Sequence, residues 1–108
     1  MTDTKSKYSL SYAPGYCALY PELAGLARWH GYALAVHGSC QRDLDVVCVP
    51  WVKYASTPEE VVSAITKAFD LKEIGTPTIK EHGRIAYTLP IGFGECAVDL
   101  SFMPLVET

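Results

Sequence analysis

Two carboxylates one residue apart stand between two apolar segments of this 108-residue chain, shortly after a Gly-Ser pair. They are Asp43 and Asp45 in the stretch AVHGSCQRDLDVVCVPW, and a third carboxylate, Asp99, occurs in the later stretch CAVDLSF. Like charges about 4 Å apart repel by about 4 kcal/mol at an effective dielectric constant of 20. Carboxylate oxygens are ligands that Mg²⁺ prefers in proteins. The three aspartates therefore predict a site for a divalent cation.

Alternating side chains along two predicted strands place these aspartates on one face. Residues two apart in a strand point the same way, so the apolar residues of both segments define the face that meets the helices. These residues are Leu44, Val46 and Cys48 in one strand and Cys96, Val98, Leu100 and Phe102 in the other. If the two strands lie side by side, Asp43, Asp45 and Asp99 share the opposite, open face. The other residues expected on that face are small: Ala33, Ala35, Ala97 and Ser101.

Four further polar residues are candidates for lining the open face. His37 directly precedes Gly38 and could contact a phosphate or act as an acid, or it could simply bond to the backbone. Lys80, Arg84 and Thr88 fall on the open side of a predicted hairpin. Tyr87 alternates with them, so it is predicted to point towards the helices.

Two predicted helices position these strands. Pro21 suits the first turn of one helix, which Gly31 is placed to end in a left-handed conformation. The second helix begins at Thr57 and Pro58, with Glu60 at the spacing of a capping box. The element order is helix, strand, strand, helix, hairpin and strand. It predicts an α+β fold, with a small mixed or antiparallel sheet and two helices packed on one face.

The rest of the chain predicts a single domain with one arm. Residues 1–12 are polar without a period and are expected to form a flexible N-terminal arm, and residues 13–108 are expected to form the domain. Whether residues 15–20 form a separate helical turn is open. A loop is predicted over residues 73–77, a hairpin turn over 81–83 and another turn over 91–95.

The composition of the chain limits which partners, locations and metal sites are expected. The net charge is −3 and the basic residues are scattered, which argues against duplex nucleic acid as the main partner. No apolar run reaches the roughly 18 residues that a membrane span needs, and no signal-peptide pattern opens the chain, so a cytoplasmic location is expected. None of the four cysteines forms a CxxC pair, which argues against zinc and predicts free thiols.

The order Gly38-Ser39, Asp43-x-Asp45 and a later Asp99 resembles the DNA polymerase β-type nucleotidyltransferase superfamily, especially its minimal members, over roughly residues 20–103. The resemblance implies that Gly38-Ser39 holds the β- and γ-phosphates of a nucleoside triphosphate such as ATP. It implies that Asp43 and Asp45 bind two Mg²⁺ (or Mn²⁺) ions. It also implies that Asp99 binds the catalytic ion and helps to deprotonate an acceptor hydroxyl.

One departure from the family leaves two hypotheses open. Only three residues, ending at Arg42, separate Ser39 from Asp43, fewer than is usual in the family. Arg42 could replace the lost phosphate contact or pair with a neighbouring acid. The first hypothesis is an enzyme that moves a nucleoside monophosphate to the hydroxyl of an unidentified acceptor. The second is a weak or inactive protein of the same fold that binds a nucleotide or partner protein through its open face. The acceptor could be a partner protein, or a second copy of the chain could supply the missing wall of the site.

Overall fold

The computed structural model describes residues 11–72, 74–91 and 96–105, which form two helices and five strands. Helix α1 spans Ala13–Trp29 and helix α2 spans Pro58–Phe69. The strands are β1 Tyr32–His37, β2 Leu44–Pro50, β3 Ile74–Ile79, β4 Ile85–Ile91 and β5 Cys96–Phe102. A short 3₁₀ turn, Glu81–Gly83, joins β3 to β4. The predicted α+β class is confirmed.

Helix α1 is longer than the sequence predicts. It begins at Ala13 with a proline in its first turn, so Pro21 lies inside the helix and not at its start. Pro21 removes one helical hydrogen bond, but the turns that precede it bury Tyr16 in the core, which favours the longer helix. Gly31 ends the helix with a φ of 92°, as predicted. Neither helix of the described segments is long and apolar enough to cross a membrane.

Helix α2 begins with the predicted capping box. The Thr57 hydroxyl accepts a hydrogen bond from the Glu60 amide at 3.2 Å, and the Thr57 amide donates to the Glu60 carboxylate at 2.9 Å. These two bonds satisfy donors that a helix start leaves open. The pKa of Glu60 is lowered because its carboxylate accepts hydrogen bonds from the Thr57 amide and, at 3.1 Å, from the Thr57 hydroxyl, and both stabilise the ionised form.

The sheet is mixed, with the strand order β1-β2-β5-β4-β3. Strand β5 lies at the centre, parallel to β2 and antiparallel to β4. The β1–β2 and β3–β4 pairs are antiparallel. The two strands that carry Asp45 and Asp99 are therefore neighbours, as the alternation argument requires.

One core fills the space between the sheet and the helices. Its largest fully buried side chains come from both helices and four of the five strands: Leu23, Tyr32, Leu44, Val46, Cys48, Val61, Ile65, Leu89, Val98, Leu100 and Phe102. The predicted inward residues of β2 and β5 are among them except for Cys96, which is half-buried, so their alternate neighbours are directed to the open face. All four cysteines are free thiols, and burial raises the pKa of Cys48 to about 12.

The β3–β4 hairpin confirms one predicted turn and corrects a predicted loop. Gly83 has a φ of 74° in the turn, and the Lys80 amide donates to the Arg84 carbonyl at 2.7 Å. Strand β3, however, begins at Ile74, inside the segment predicted as a loop. An edge strand tolerates Gly75 and Pro77, since the ladder shows a register shift between Ile74 and Thr78. Residues 92–95 of the predicted turn lie outside the described residues. Residues 1–10 of the predicted arm also lie outside them.

Candidate functional site

Four polar residues form one row across four adjacent strands. His37 on β1 stands opposite Asp45 on β2, Asp45 stands opposite Asp99 on β5, and Asp99 stands opposite Thr88 on β4. Directly opposed residues of paired strands point to the same side of a sheet, so this row crosses the open face. Two carboxylates lie at its centre.

The two carboxylates of the row interact directly. Burial raises the pKa of Asp99 above its ordinary value. A hydrogen bond from the Thr88 hydroxyl to Asp99 lowers that pKa, whereas the adjacent carboxyl of Asp45, within hydrogen-bond reach, raises it. The charge of Lys80 also lowers it. The net effect on the pKa of Asp99 is a rise, and burial is its largest cause.

A cavity of about 310 Å³ lies over this row. Its lining combines the two carboxylates with two cations and several hydroxyls. It is formed by His37, Asp45, Thr76, Thr78, Lys80, Arg84, Ala86, Thr88, Asp99, Leu100 and Ser101. Lys80, Arg84 and Thr88 thus lie where the sequence predicts them. This volume is at the lower end of the range of about 300–1,000 Å³ that is typical of ligand pockets.

The other predicted site residues lie around the cavity and do not line it. Asp43 is exposed just before β2, and its charge acts on the hydroxyl of Tyr16. Ser39 and Arg42 are exposed in the connection between β1 and β2. Within residues 11–72, 74–91 and 96–105, no three His, Cys, Asp or Glu side chains converge on one point that could hold a metal ion. The role predicted for Asp43 as a third carboxylate stays a prediction.

Tyr16 of α1 holds the connection that leads into β2. Its hydroxyl donates to the Arg42 carbonyl and, at 3.4 Å, to the Ala97 carbonyl at the start of β5. Burial, together with the neighbouring Cys96 and Asp43, raises the pKa of Tyr16, so its hydroxyl stays protonated and remains a donor. One side chain thus ties together the ends of the two strands that carry Asp45 and Asp99.

Gly38 sits directly against the acidic pair. Its φ is 80°, and a Cβ added there would lie 3.1 Å from the Asp45 Oδ2 atom. A side chain at this position would therefore be costly. Only glycine adopts this backbone conformation readily, and an added Cβ would crowd the Asp45 carboxylate. The glycine of the predicted Gly-Ser motif therefore allows the backbone to approach the Asp45 carboxylate.

Substituting Gly38 by alanine is expected to lower the free energy of unfolding by about 1–2 kcal/mol, the usual cost of a left-handed non-glycine residue. Gly25→Ala is the matched control, because Gly25 lies within α1 with nothing within 4 Å of its added Cβ. That variant is expected to gain up to about 1 kcal/mol. Urea unfolding of both variants measures the difference. Equal stability of the two variants would contradict the close packing inferred at Gly38.

Thr76 and Thr78 are polar cavity residues that the sequence prediction did not single out. Thr76 belongs to the segment 73–77 predicted as a loop, whereas Thr78 begins the predicted hairpin. The sequence does contain a pattern that indicates a strand here, because Thr76, Thr78 and Lys80 are spaced by two. All three line the cavity. Period-two spacing of polar residues beside a turn indicates one face of a strand.

Asp45 and Asp99 are the residues at the centre of the cavity that could hold a divalent cation. They could supply oxygen ligands from adjacent strands, and burial disfavours the negative charge of Asp99. Mg²⁺ commonly takes one or two carboxylates and completes its shell with water and substrate phosphates. Two carboxylates in an open polar cavity match that pattern.

Neither a protein-family model nor a curated protein matches this sequence. The function is therefore inferred from the arrangement of the side chains.

Proposed function

We propose that this protein is a metal-dependent nucleotidyltransferase, which moves a nucleoside monophosphate from a nucleoside triphosphate to an acceptor hydroxyl. The observation that carries the proposal is the Asp45–Asp99 pair, opposed on parallel neighbouring strands at the floor of a polar cavity. The glycine of a Gly-Ser turn approaches the same carboxylate. This combination is what the resemblance to the polymerase β-type superfamily leads one to expect.

Each residue of the row has a proposed task. Asp45 and Asp99 hold Mg²⁺ or Mn²⁺, and Thr88 orients Asp99 through its hydrogen bond. Asp99 also accepts the proton of the attacking hydroxyl, a task that suits a carboxyl with a raised pKa. The bound cations supply charge stabilisation for the attacking and leaving oxygens. The Gly38-Ser39 backbone holds the leaving phosphates, with Arg42 as a further contact.

A second candidate function is nucleotide binding without efficient transfer. The observation that favours it is the position of Ser39, Arg42 and Asp43, which do not line the cavity. The Ser39 hydroxyl instead accepts a hydrogen bond from the Gln41 amide at 3.3 Å within the short connection. A protein of this kind would hold the nucleotide mainly through Asp45 and Asp99, and would present it to a partner protein.

The test combines binding with transfer. Unfolding of the protein is measured with Mg²⁺ or Mn²⁺ and each of the four nucleoside triphosphates as non-hydrolysable analogues. A ligand present at 100 times its dissociation constant is expected to stabilise the fold by about 2.7 kcal/mol. Label from an α-phosphate-labelled nucleotide is then followed onto acceptors in a native lysate. Binding with transfer supports the enzyme, and binding without transfer supports the second candidate. No stabilisation with any nucleotide and either metal would contradict both.

A further inference from the structure

We infer that the cavity holds a second subsite, formed around Lys80 and Arg84, which binds a phosphate group carried by the acceptor. This inference rests on the proposed function, because it concerns the second substrate of the same site. Lys80 follows the last residue of β3, and Arg84 precedes the first residue of β4. Both line the cavity on the side away from β1.

The guanidinium of Arg84 is held in place but retains free hydrogen-bonding capacity. Its Nη1 atom donates to the Ser101 hydroxyl at 3.2 Å, and its Nε atom donates to the Glu81 carbonyl at 3.3 Å. A guanidinium has five N–H donors, so these two bonds fix its direction and leave others for a ligand. Among the residues that the structure describes, neither Arg84 nor Lys80 forms an ion pair with a carboxylate. Arg84 and Lys80 thus retain N–H donors for an anion in the polar cavity, while the charge of Lys80 also acts on Asp99.

Several hydroxyl groups beside these cations match the chemistry of a phosphate. Thr76, Thr78 and Ser101 line the same part of the cavity and can donate hydrogen bonds to phosphate oxygens. An arginine fork together with a lysine suits an anion with two negative charges and several acceptor oxygens. A phosphate group meets both conditions.

The order of the strands assigns this subsite to the acceptor and not to the triphosphate. Gly38 follows the end of β1, whereas Arg84 precedes β4, and the acidic pair on β2 and β5 lies between them. At about 4.8 Å per strand, β1 and β4 are about 14 Å apart. In an in-line displacement the attacking and leaving oxygens lie on opposite sides of the phosphorus. With pyrophosphate leaving towards Gly38, the acceptor enters from the side of Lys80 and Arg84.

The first part of the test uses inorganic phosphate as the probe, without metal or nucleotide. Backbone amide spectra of the ¹⁵N-labelled protein are recorded during titration at constant ionic strength. Saturable shifts at Lys80, Arg84 and Ser101 are expected. Arg84→Gln and Lys80→Gln are each expected to weaken binding at least tenfold. The charge-matched controls Arg28→Gln on α1 and Lys67→Gln on α2 are expected to leave it unchanged. No saturable shift, or equal weakening by the controls, would overturn the subsite.

The second part separates the two sources of a phosphate group. The titration is repeated with Mg²⁺ and a saturating non-hydrolysable triphosphate. Unchanged or tighter phosphate binding assigns the subsite to the acceptor. Displacement of phosphate by the nucleotide assigns it to the triphosphate and overturns the inference. If no nucleotide binds at all, the proposed function fails, and the assignment of the subsite to an acceptor fails with it. The phosphate titration alone still reports whether an anion subsite exists. Two variants keep the test valid if one of them fails to fold, which the dispersion of its spectrum reveals.

Discussion

Asp99→Asn is expected to remove the stabilisation by Mg²⁺ and nucleotide and to lower nucleotidyl transfer by at least about 100-fold. The reason is that Asp99 is one of the two carboxylates that face each other at the centre of the cavity. Without ligands, the same variant is expected to be more stable than the wild-type protein by about 1 kcal/mol at pH 7, because it removes the repulsion between two like charges. One substitution thus has opposite effects on stability and on binding.

The dependence of stability on pH checks the same explanation. The folded state raises the pKa of Asp99 above its ordinary value of 3.8, so the folded protein holds that proton more tightly than the unfolded chain. The contribution of Asp99 to the free energy of unfolding is therefore expected to fall as the pH rises from about 3.8 through the raised pKa, and to stay lower above it. Asp99→Asn is expected to lack this decline.

A matched control isolates the acidic pair. Glu22→Gln removes one carboxylate from the exposed side of α1 and is expected to change stability by no more than about 0.5 kcal/mol. It is expected to leave ligand binding unaltered. Ligand stabilisation that survives Asp99→Asn at wild-type strength would contradict the assignment of Asp99 to the metal.

Phe102→Ala is expected to lower the free energy of unfolding by about 3–5 kcal/mol. Phe102 is 1% exposed at the end of the central strand and forms edge-to-face contacts with two tyrosines. Its ring centroid lies 5.3 Å from that of Tyr32 and 5.7 Å from that of Tyr87. Domains of this size are stable by only about 5–15 kcal/mol, so the loss is a large share of the total.

Urea unfolding measures this loss against a surface aromatic. Tyr54 is 87% exposed. The Lys53 ammonium lies 5.8 Å from the centroid of its ring. Tyr54→Ala is expected to cost no more than about 1 kcal/mol. A cost below about 1 kcal/mol for Phe102→Ala would show that the core does not depend on this ring.

The sequence predicts the acidic pair because alternation is reliable inside strands. Leu44 and Val46 are buried on either side of Asp45, and Val98 and Leu100 on either side of Asp99, so both carboxylates must point away from the core. The parallel pairing of β2 with β5 then brings them together.

The parts of the site that the sequence does not predict lie where strands end or where local signals conflict. Asp43 precedes the first residue of β2, and outside a strand no pairing fixes the direction of a side chain. Gly75 and Pro77 indicate a loop, but the edge of a sheet accommodates both. Pro21 indicates a helix start, but α1 begins eight residues earlier, at Ala13, and the added turns bury Tyr16.

The central position of β5 has a consequence for how the chain acquires its site during synthesis. Half the length of the chain separates Asp45 from Asp99, and the β1–β2 and β3–β4 hairpins are both translated before β5. Each hairpin can form from local contacts as it leaves the ribosome, but β5 must insert between them to complete the sheet. A ribosome that has not yet released residue 99 therefore carries a chain without the acidic pair. Any ligand that needs both carboxylates can therefore bind only after translation has passed β5.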